Sequence, residues 1–166
     1  MEETTPKARL LSLMMLLVGC ISITSAYTGQ SATVEFTPYP GTSYEGSGSL
    51  TLEEYIVDEL VGLRIKGSYT IVGENGKSGL HMHVGMDPYD ATTIGPHYWE
   101  PTTEDDPWTA FEVNLAHGTG RVDMMTTDLY PIYGFSFDKS LPSAGRVMVA
   151  HAVNGDRALA GKIVLN

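Results

Sequence analysis

The sequence predicts an all-β domain, a Greek-key barrel or sandwich of about eight antiparallel strands. Short segments rich in apolar, β-branched and aromatic residues recur along the 166-residue chain. Turns rich in Gly and Asn separate these segments, as is typical of strands joined by tight connections. Only 52–60 could also form a short helix. The predicted strands are 31–37, 47–56, 63–72, 80–84, 109–115, 121–127, 133–137, 145–153 and 157–165.

The first 26 residues have the pattern of a secretory signal peptide. Lys7 and Arg9 precede the largely apolar segment 10–23, and Thr24, Ser25 and Ala26 form a small-residue cleavage signal. The apolar segment is too short to span a membrane. We therefore expect a secreted, extracellular protein with a single domain at 27–166.

A lipid anchor is the alternative for the same segment. Residues 17–20 read Leu-Val-Gly-Cys, which would also pass as a bacterial lipoprotein box with the anchor at Cys20. Glu2 and Glu3 are unusual for such a leader. Cys20 is the only cysteine, so a chain cleaved after the leader can form no disulfide.

The composition limits the possible partners of the domain. The leader carries two basic and two acidic residues, so its removal leaves the net charge at −10. This charge argues against nucleic acid as a partner, because nucleic-acid-binding proteins need basic patches. No second apolar stretch could span a membrane. The oligomeric state is left open, with a monomer preferred.

Two histidines lie one residue apart on the predicted strand 80–84. Side chains alternate along a strand, so His81 and His83 share one face, with Cα atoms about 7 Å apart. Two imidazoles at that spacing can bind one metal ion, while Leu80 and Met82 point to the other face. The alternative is a half-exposed strand that carries two polar residues.

Three further histidines complete the set. His97 follows Gly95 and Pro96, which fix a rigid bend. His151 lies on the apolar strand 145–153, where a lone histidine is usually a hydrogen-bonded core residue. His117 lies on a predicted hairpin turn and is given no role.

Together these segments resemble the copper/zinc superoxide dismutases over roughly residues 31–166. The segments are Gly-Leu-His-Met-His-Val-Gly at 79–85, Gly-Pro-His at 95–97, Gly-Arg-Val-Met-Val-Ala-His at 145–151 and Asp-Arg-Ala-Leu-Ala-Gly at 156–161. The resemblance implies that His81, His83, His97 and His151 are copper ligands. It also implies that Arg157 opens the closing strand and holds superoxide beside the copper. Four imidazoles suit copper, since Cu(II) favours nitrogen donors.

The zinc site of that family is missing from the sequence. No histidine lies between His97 and His117, and Asn114 occupies the position that resembles the zinc aspartate. A single imidazole cannot form a zinc site, so no zinc is expected. Without zinc, the second nitrogen of His97 needs another acceptor. Glu112 is the local candidate for this acceptor, and the alternative is that Glu112 is a solvated strand residue. The acidic segment 104–106 is interpreted as a solvated loop.

The disulfide and the long charged loop of the family are also missing. Ala91 and Ala160 stand where the family has its two cysteines. Only five residues separate His151 from Arg157, and they include Asn154-Gly155, which predicts a tight type I′ hairpin turn. The three losses together resemble the copper-only superoxide dismutases, whose copper site is open to solvent.

The expected function is therefore that of a copper-dependent superoxide dismutase. In this hypothesis the copper cycles between Cu(II) and Cu(I) and converts superoxide to O₂ and H₂O₂. The alternative is an extracellular copper-binding or carrier module with little or no turnover. A metal-free structural relative is disfavoured, because all four copper histidines remain.

Overall fold

The computed structural model describes residues 25–57, 59–99, 105–128, 134–139 and 141–166. Nearly all of the predicted signal peptide, including Cys20 and its lipoprotein box, lies outside these residues. Ser25 and Ala26 are described and lie at the start of the first strand.

Eight antiparallel strands form a closed barrel, which confirms the predicted all-β barrel. The barrel strands are β1 Ser25–Pro38, β2 Gly46–Val57, β3 Leu60–Ile71, β4 Gly76–His83, β5 Glu112–Ala116, β6 Thr119–Met125, β9 Val147–His151 and β10 Arg157–Leu165. Around the barrel the order is β1-β10-β9-β4-β5-β6-β3-β2. A separate parallel pair, β7 Phe135–Ser136 and β8 Leu141–Pro142, lies outside it.

Helical structure among the described residues is confined to single turns. These are the helix α1, Ala91–Ile94, and two 3₁₀ turns at Pro107–Ala110 and Thr126–Asp128. None of the helices in the described ranges has the length and apolar character needed to cross a membrane.

The strand order contains a Greek key that builds the site. Strands β4, β5 and β6 are consecutive neighbours, and β9 returns over a long connection to lie beside β4. In the β4–β9 register, His83 pairs with Val147 and His81 with Val149. This return brings the strand of His151 beside the strand of His81 and His83.

Alternation along β4 and β9 separates a core face from an outer face. Leu80, Met82, Met148 and Ala150 are fully buried in the barrel core. The intervening positions carry the histidines and two valines of a second small cluster outside the core. In that cluster Ile94 of α1, Val147, Val149 and Ala160 pack together, which holds α1 and the following loop against the barrel.

Strand β2 confirms the strand predicted at 47–56, so the helical alternative does not apply to residues 52–57. Two other local expectations differ from the structure. In the predicted strand 133–137, whose first residue lies outside the described ranges, only Phe135–Ser136 is extended, and it pairs with β8. The barrel therefore closes without it.

The type I′ turn predicted before Arg157 is wrong. A type I′ turn needs positive φ at both central residues, whereas only Gly155 has one, at 91°. Gly155 N donates to Ala152 O over 2.9 Å, and Ala152 N donates to Asp156 O over 2.7 Å. The connection is thus a three-residue loop at 153–155.

Candidate metal centre

Four histidines converge on the outer face of β4 and β9. His81 and His83 come from β4, His151 ends β9, and His97 lies in the loop after α1. One ligand nitrogen from each ring lies within 4.8 Å of the others. The structure therefore brings together the four histidines that the resemblance implied, and it places His117 away from them in the turn between β5 and β6.

Backbone pairing with β4 fixes the position of His97. Val84 N donates to Pro96 O over 3.0 Å, and Tyr98 N donates to Met82 O over 2.8 Å. Asp90 caps α1 by accepting a hydrogen bond from Thr92 N over 2.9 Å. The Gly-Pro bend thus places His97 directly beside His83, with which it forms an isolated β-bridge.

Three of the rings are oriented by acceptors at Nδ1. His83 Nδ1 lies 2.9 Å from Gly95 O, and His151 Nδ1 lies 2.9 Å from Gly155 O. His97 Nδ1 lies 2.6 Å from Asp106 Oδ2. Because carbonyl and carboxylate oxygens accept hydrogen bonds, each Nδ1 carries the proton, and the lone pair is on Nε2. Ring orientation by an acceptor at the second nitrogen is typical of metal-binding histidines.

His81 differs from the other three rings, because it faces the cluster with Nδ1 and not with Nε2. Its Nδ1 lies 2.9 Å from His97 Nε2. The ring rests against Gly79, where a Cβ atom would come within 2.6 Å of Cε1 and 2.8 Å of Nε2 of His81. Trp108, fully buried, lies on another side of the ring at 6.4 Å between ring centroids. Glycine at 79 is therefore required for this position of the His81 ring.

Three imidazole nitrogens of the cluster are buried without a hydrogen-bond partner. They are Nε2 of His81, His83 and His151. Buried polar atoms in folded proteins are almost always paired. For His83 and His151 the unpaired atom is the lone-pair nitrogen, so these rings fit a bound metal ion. Four imidazoles suit late first-row transition metals such as copper and zinc.

Three of the four imidazoles, those of His81, His83 and His151, are held in their neutral form. Burial, followed by the charges of the neighbouring histidines, lowers the pKa of His81 to about 3. Burial likewise lowers the pKa of His83 to about 3 and lowers that of His151, with smaller contributions from His97 and Arg157. Neutral imidazole is the form that binds metals.

The expectation that Glu112 holds His97 was wrong, because Asp106 takes that place. Glu112 is exposed and its carboxylate lies 2.6 Å from Lys77 Nζ. Asp106 caps the 3₁₀ turn by accepting from Trp108 N through Oδ1, and its Oδ2 faces His97. The available signal was the sequence Asp106-Pro107, which is typical of a capped turn rather than of a free acidic loop.

Arg157 is fixed beside the cluster. It is paired with His151 across β9 and β10, as expected. Its guanidinium donates to Gly95 O over 2.6 Å and to Tyr39 Oη over 3.0 Å. Asp156 instead accepts from Asn154 Nδ2 over 2.9 Å. Gly95 O therefore joins Arg157 to His83, and Arg157 is not the surface partner of Asp156.

A cavity of about 400 Å³ opens onto three of the histidines, His81, His97 and His151. Its outer part is formed by Lys77, Glu112 and Val153 together with the loop at Gly155. A small solute can thus reach the cluster from solvent.

No protein-family model matches this chain, and no curated protein matches its sequence. The site is therefore defined by its own geometry: four clustered imidazoles, three of which line an open cavity.

Proposed function

We propose that the domain is a secreted, copper-only superoxide dismutase with copper bound by His81, His83, His97 and His151. The observation that carries this proposal is the convergence of four imidazoles. In three of them an acceptor outside the cluster holds the ring proton on Nδ1, and in His81 the proton can move from Nδ1 to Nε2. The order and spacing of the motifs, which resemble that enzyme family, support the choice of activity.

Copper is the preferred metal because the donor set is all nitrogen. No carboxylate or thiolate of a described residue joins the four imidazoles, and Cu(II) favours such nitrogen donors. When bound, copper would supply one-electron exchange between Cu(II) and Cu(I), by which one superoxide is oxidised to O₂ and a second, taking two protons, is reduced to H₂O₂.

The protein's own groups would keep the ligands ready for this exchange. Asp106, Gly95 O and Gly155 O hold protons on the Nδ1 atoms of three rings, so the lone pairs of these rings are on Nε2. Burial keeps His81, His83 and His151 neutral at physiological pH. Because the acceptors lie on the loop, the 3₁₀ turn and the β9–β10 turn, the four rings need little rearrangement when metal binds.

Arg157 would attract and orient the anion. A guanidinium has five N–H donors in a fixed plane, of which the two described hydrogen bonds use two. The remaining donors and the positive charge are available beside His83 and His151. Arginine suits this task better than lysine, because its planar fork is already oriented.

The proposal is tested with the chain lacking the leader, purified without metal and then loaded with copper. We expect one copper per chain by elemental analysis, no stoichiometric zinc, and superoxide decay faster than with chelated copper at the same concentration. Stoichiometric zinc beside copper would contradict the metal assignment. Decay no faster than that of the chelated copper control would contradict the enzyme assignment.

A copper carrier is the second candidate, and the open cavity favours it. A short turn, 153–155, lies at the side of the cavity, so copper would be accessible to an acceptor. A carrier would bind one copper, show no superoxide decay above the control, and lose its copper to a competing chelator within seconds. A dismutase would retain its copper through many turnovers.

Replacement of Arg157 tests the role in anion attraction. Arg157→Ala is expected to leave copper content unchanged and to slow superoxide decay. It should also weaken the dependence of the rate on ionic strength, since a steering charge is screened over about 10 Å at 0.1 M salt. Arg157→Lys keeps the charge and should retain the salt dependence. Equal rates for Arg157→Ala and the parent across a salt series would exclude this role.

Replacement of Asp106 tests the orientation of His97. Asp106→Asn is expected to lower the affinity for Cu(II) by roughly 10–100-fold, because partners of metal ligands contribute about this much. At 0.15 M salt Glu112→Gln, a matched change on an exposed carboxylate, should lower the affinity by less than about twofold. Competition with a chelator of known affinity measures both. If the two variants lose affinity equally, Asp106 does not act through His97.

A further inference from the structure

Lys77 lies on the same face of β4 as the metal-binding histidines. Alternation along β4 places 77, 79, 81 and 83 on this face, while Ser78, Leu80 and Met82 are buried on the other. Position 79 is glycine, so no side chain of β4 stands between Lys77 and His81. Both Lys77 and His81 line the cavity that opens onto the cluster.

Glu112 faces Lys77 from the neighbouring strand. In the β4–β5 register Glu112 pairs with Gly79, which is the next residue after Lys77 on the outer face of β4. Glu112 Oε2 lies 2.6 Å from Lys77 Nζ, and the side chains are 45% and 69% exposed. Ion pairs this exposed contribute little to stability. The effect of this pair therefore lies in the charge that it places at the outer end of the cavity, which we call the mouth.

The pair carries the only charged side chains, apart from histidines, among the described residues that line the cavity. Arg157 is not among the residues that line this cavity; its guanidinium is bonded to Gly95 O and Tyr39 Oη, and its charge acts from beside His83 and His151. The whole chain carries a net charge of −10, which repels anions at long range. The local field at the mouth consequently depends on the balance between Lys77 and Glu112.

We propose that the Lys77–Glu112 ion pair is an electrostatic gate for small monovalent anions. Lys77 attracts an anion towards the histidine cluster, and Glu112 offsets that attraction. This inference rests on the proposed copper site, and it names the charges that set how strongly that site attracts an anionic substrate. The pair positions an incoming anion and takes no part in holding the metal.

The size of the effect follows from Coulomb's law. Lys77 lies four residues from His81 along β4, and Glu112 lies opposite Gly79, two residues from His81. At about 3.3 Å per residue this places the pair roughly 10 Å from the cluster. Reversing one of these charges changes the charge at the mouth by two units. In water with a Debye length of about 30 Å, at 0.01 M salt, two unit charges at that distance alter monovalent anion binding roughly threefold. At 0.15 M salt the Debye length is about 8 Å, and the change falls below about twofold.

Azide binding to the copper-loaded protein tests the gate without using catalysis. Absorbance titrations at low salt should show that Glu112→Lys binds azide roughly threefold more tightly than the parent and Lys77→Glu roughly threefold more weakly. The differences should shrink at high salt. Neutral imidazole, titrated at mildly alkaline pH, should bind all variants equally.

Matched controls come from the Lys66–Glu53 pair on β3 and β2. Its atoms lie 3.1 Å apart, and β2 is on the opposite side of the barrel from β4. Glu53→Lys and Lys66→Glu change the net charge equally but should change azide affinity by less than about 1.5-fold at low salt.

Three results would overturn the gate. Equal azide affinities for Glu112→Lys and Lys77→Glu at low salt would exclude any effect of the pair. Control variants that shift azide affinity as much as the mouth variants would assign the effect to net charge. A parent protein that binds no copper would overturn the proposed function, and the gate with it, which distinguishes that failure from the first two.

Discussion

Saturating copper is expected to raise the melting temperature of the metal-free domain by roughly 10–15 °C. A ligand that binds only the native state stabilises it by about 4 kcal/mol at a thousandfold excess over its dissociation constant. For a domain of this size, each kcal/mol shifts the melting temperature by about 3 °C. The shift should be large because the four rings are already assembled, so little of the binding free energy is spent on ordering them.

His97→Asn should abolish most of that shift. The His97 side chain is 19% exposed, so its loss removes a ligand with less damage to packing than the loss of fully buried His83. His117→Asn is the matched control, since His117 lies on the exposed β5–β6 turn and asparagine tolerates its positive φ of 51°. Thermal melts with copper and with a chelator measure both. Equal copper shifts in the two variants would mean that copper binds elsewhere.

Alternation within single strands made much of the site predictable from the sequence. Leu80 and Met82 enter the core and His81 and His83 the outer face, because side chains of a strand alternate whatever the rest of the fold does. The same rule places His151 on the face of Val147 and Val149. The four histidines meet only because β9 returns beside β4 in the Greek key. The order of the motifs along the chain suggested this return, whereas the pattern within a single strand could not predict it.

The errors lie where tertiary hydrogen bonds decide the structure. Strand alternation places Glu112 on the outer face, but it does not say which loop passes there. His97 instead reaches Asp106, whose position is set by the capped 3₁₀ turn. Likewise, Asn154-Gly155 correctly indicated a short connection between β9 and β10. The turn type depends on the hydrogen bond between Ala152 and Asp156, which encloses three residues instead of two.

Acid is expected to destabilise the metal-free domain strongly. In the unfolded chain histidine titrates near pH 6.5, whereas burial and neighbouring charge lower the pKa of both His81 and His83 to about 3 in the native state. Between these values the unfolded state binds protons that the native state does not. The free energy of unfolding therefore falls as the pH decreases, by about 1.4 kcal/mol per pH unit for each such histidine.

For two such histidines the slope approaches about 2.7 kcal/mol per pH unit, and domains of this kind are stable by only about 5–15 kcal/mol. We expect the metal-free domain to unfold between about pH 5 and pH 3, as measured by urea denaturation at a series of pH values. The double variant His81→Gln/His83→Gln, although less stable at neutral pH, should show a much flatter pH dependence. His117→Asn should keep the slope of the parent. A parent whose stability stays constant from pH 6.5 to pH 4.5 would show that the two rings are protonated in the native state, and that the cluster is open and solvated when no metal is bound.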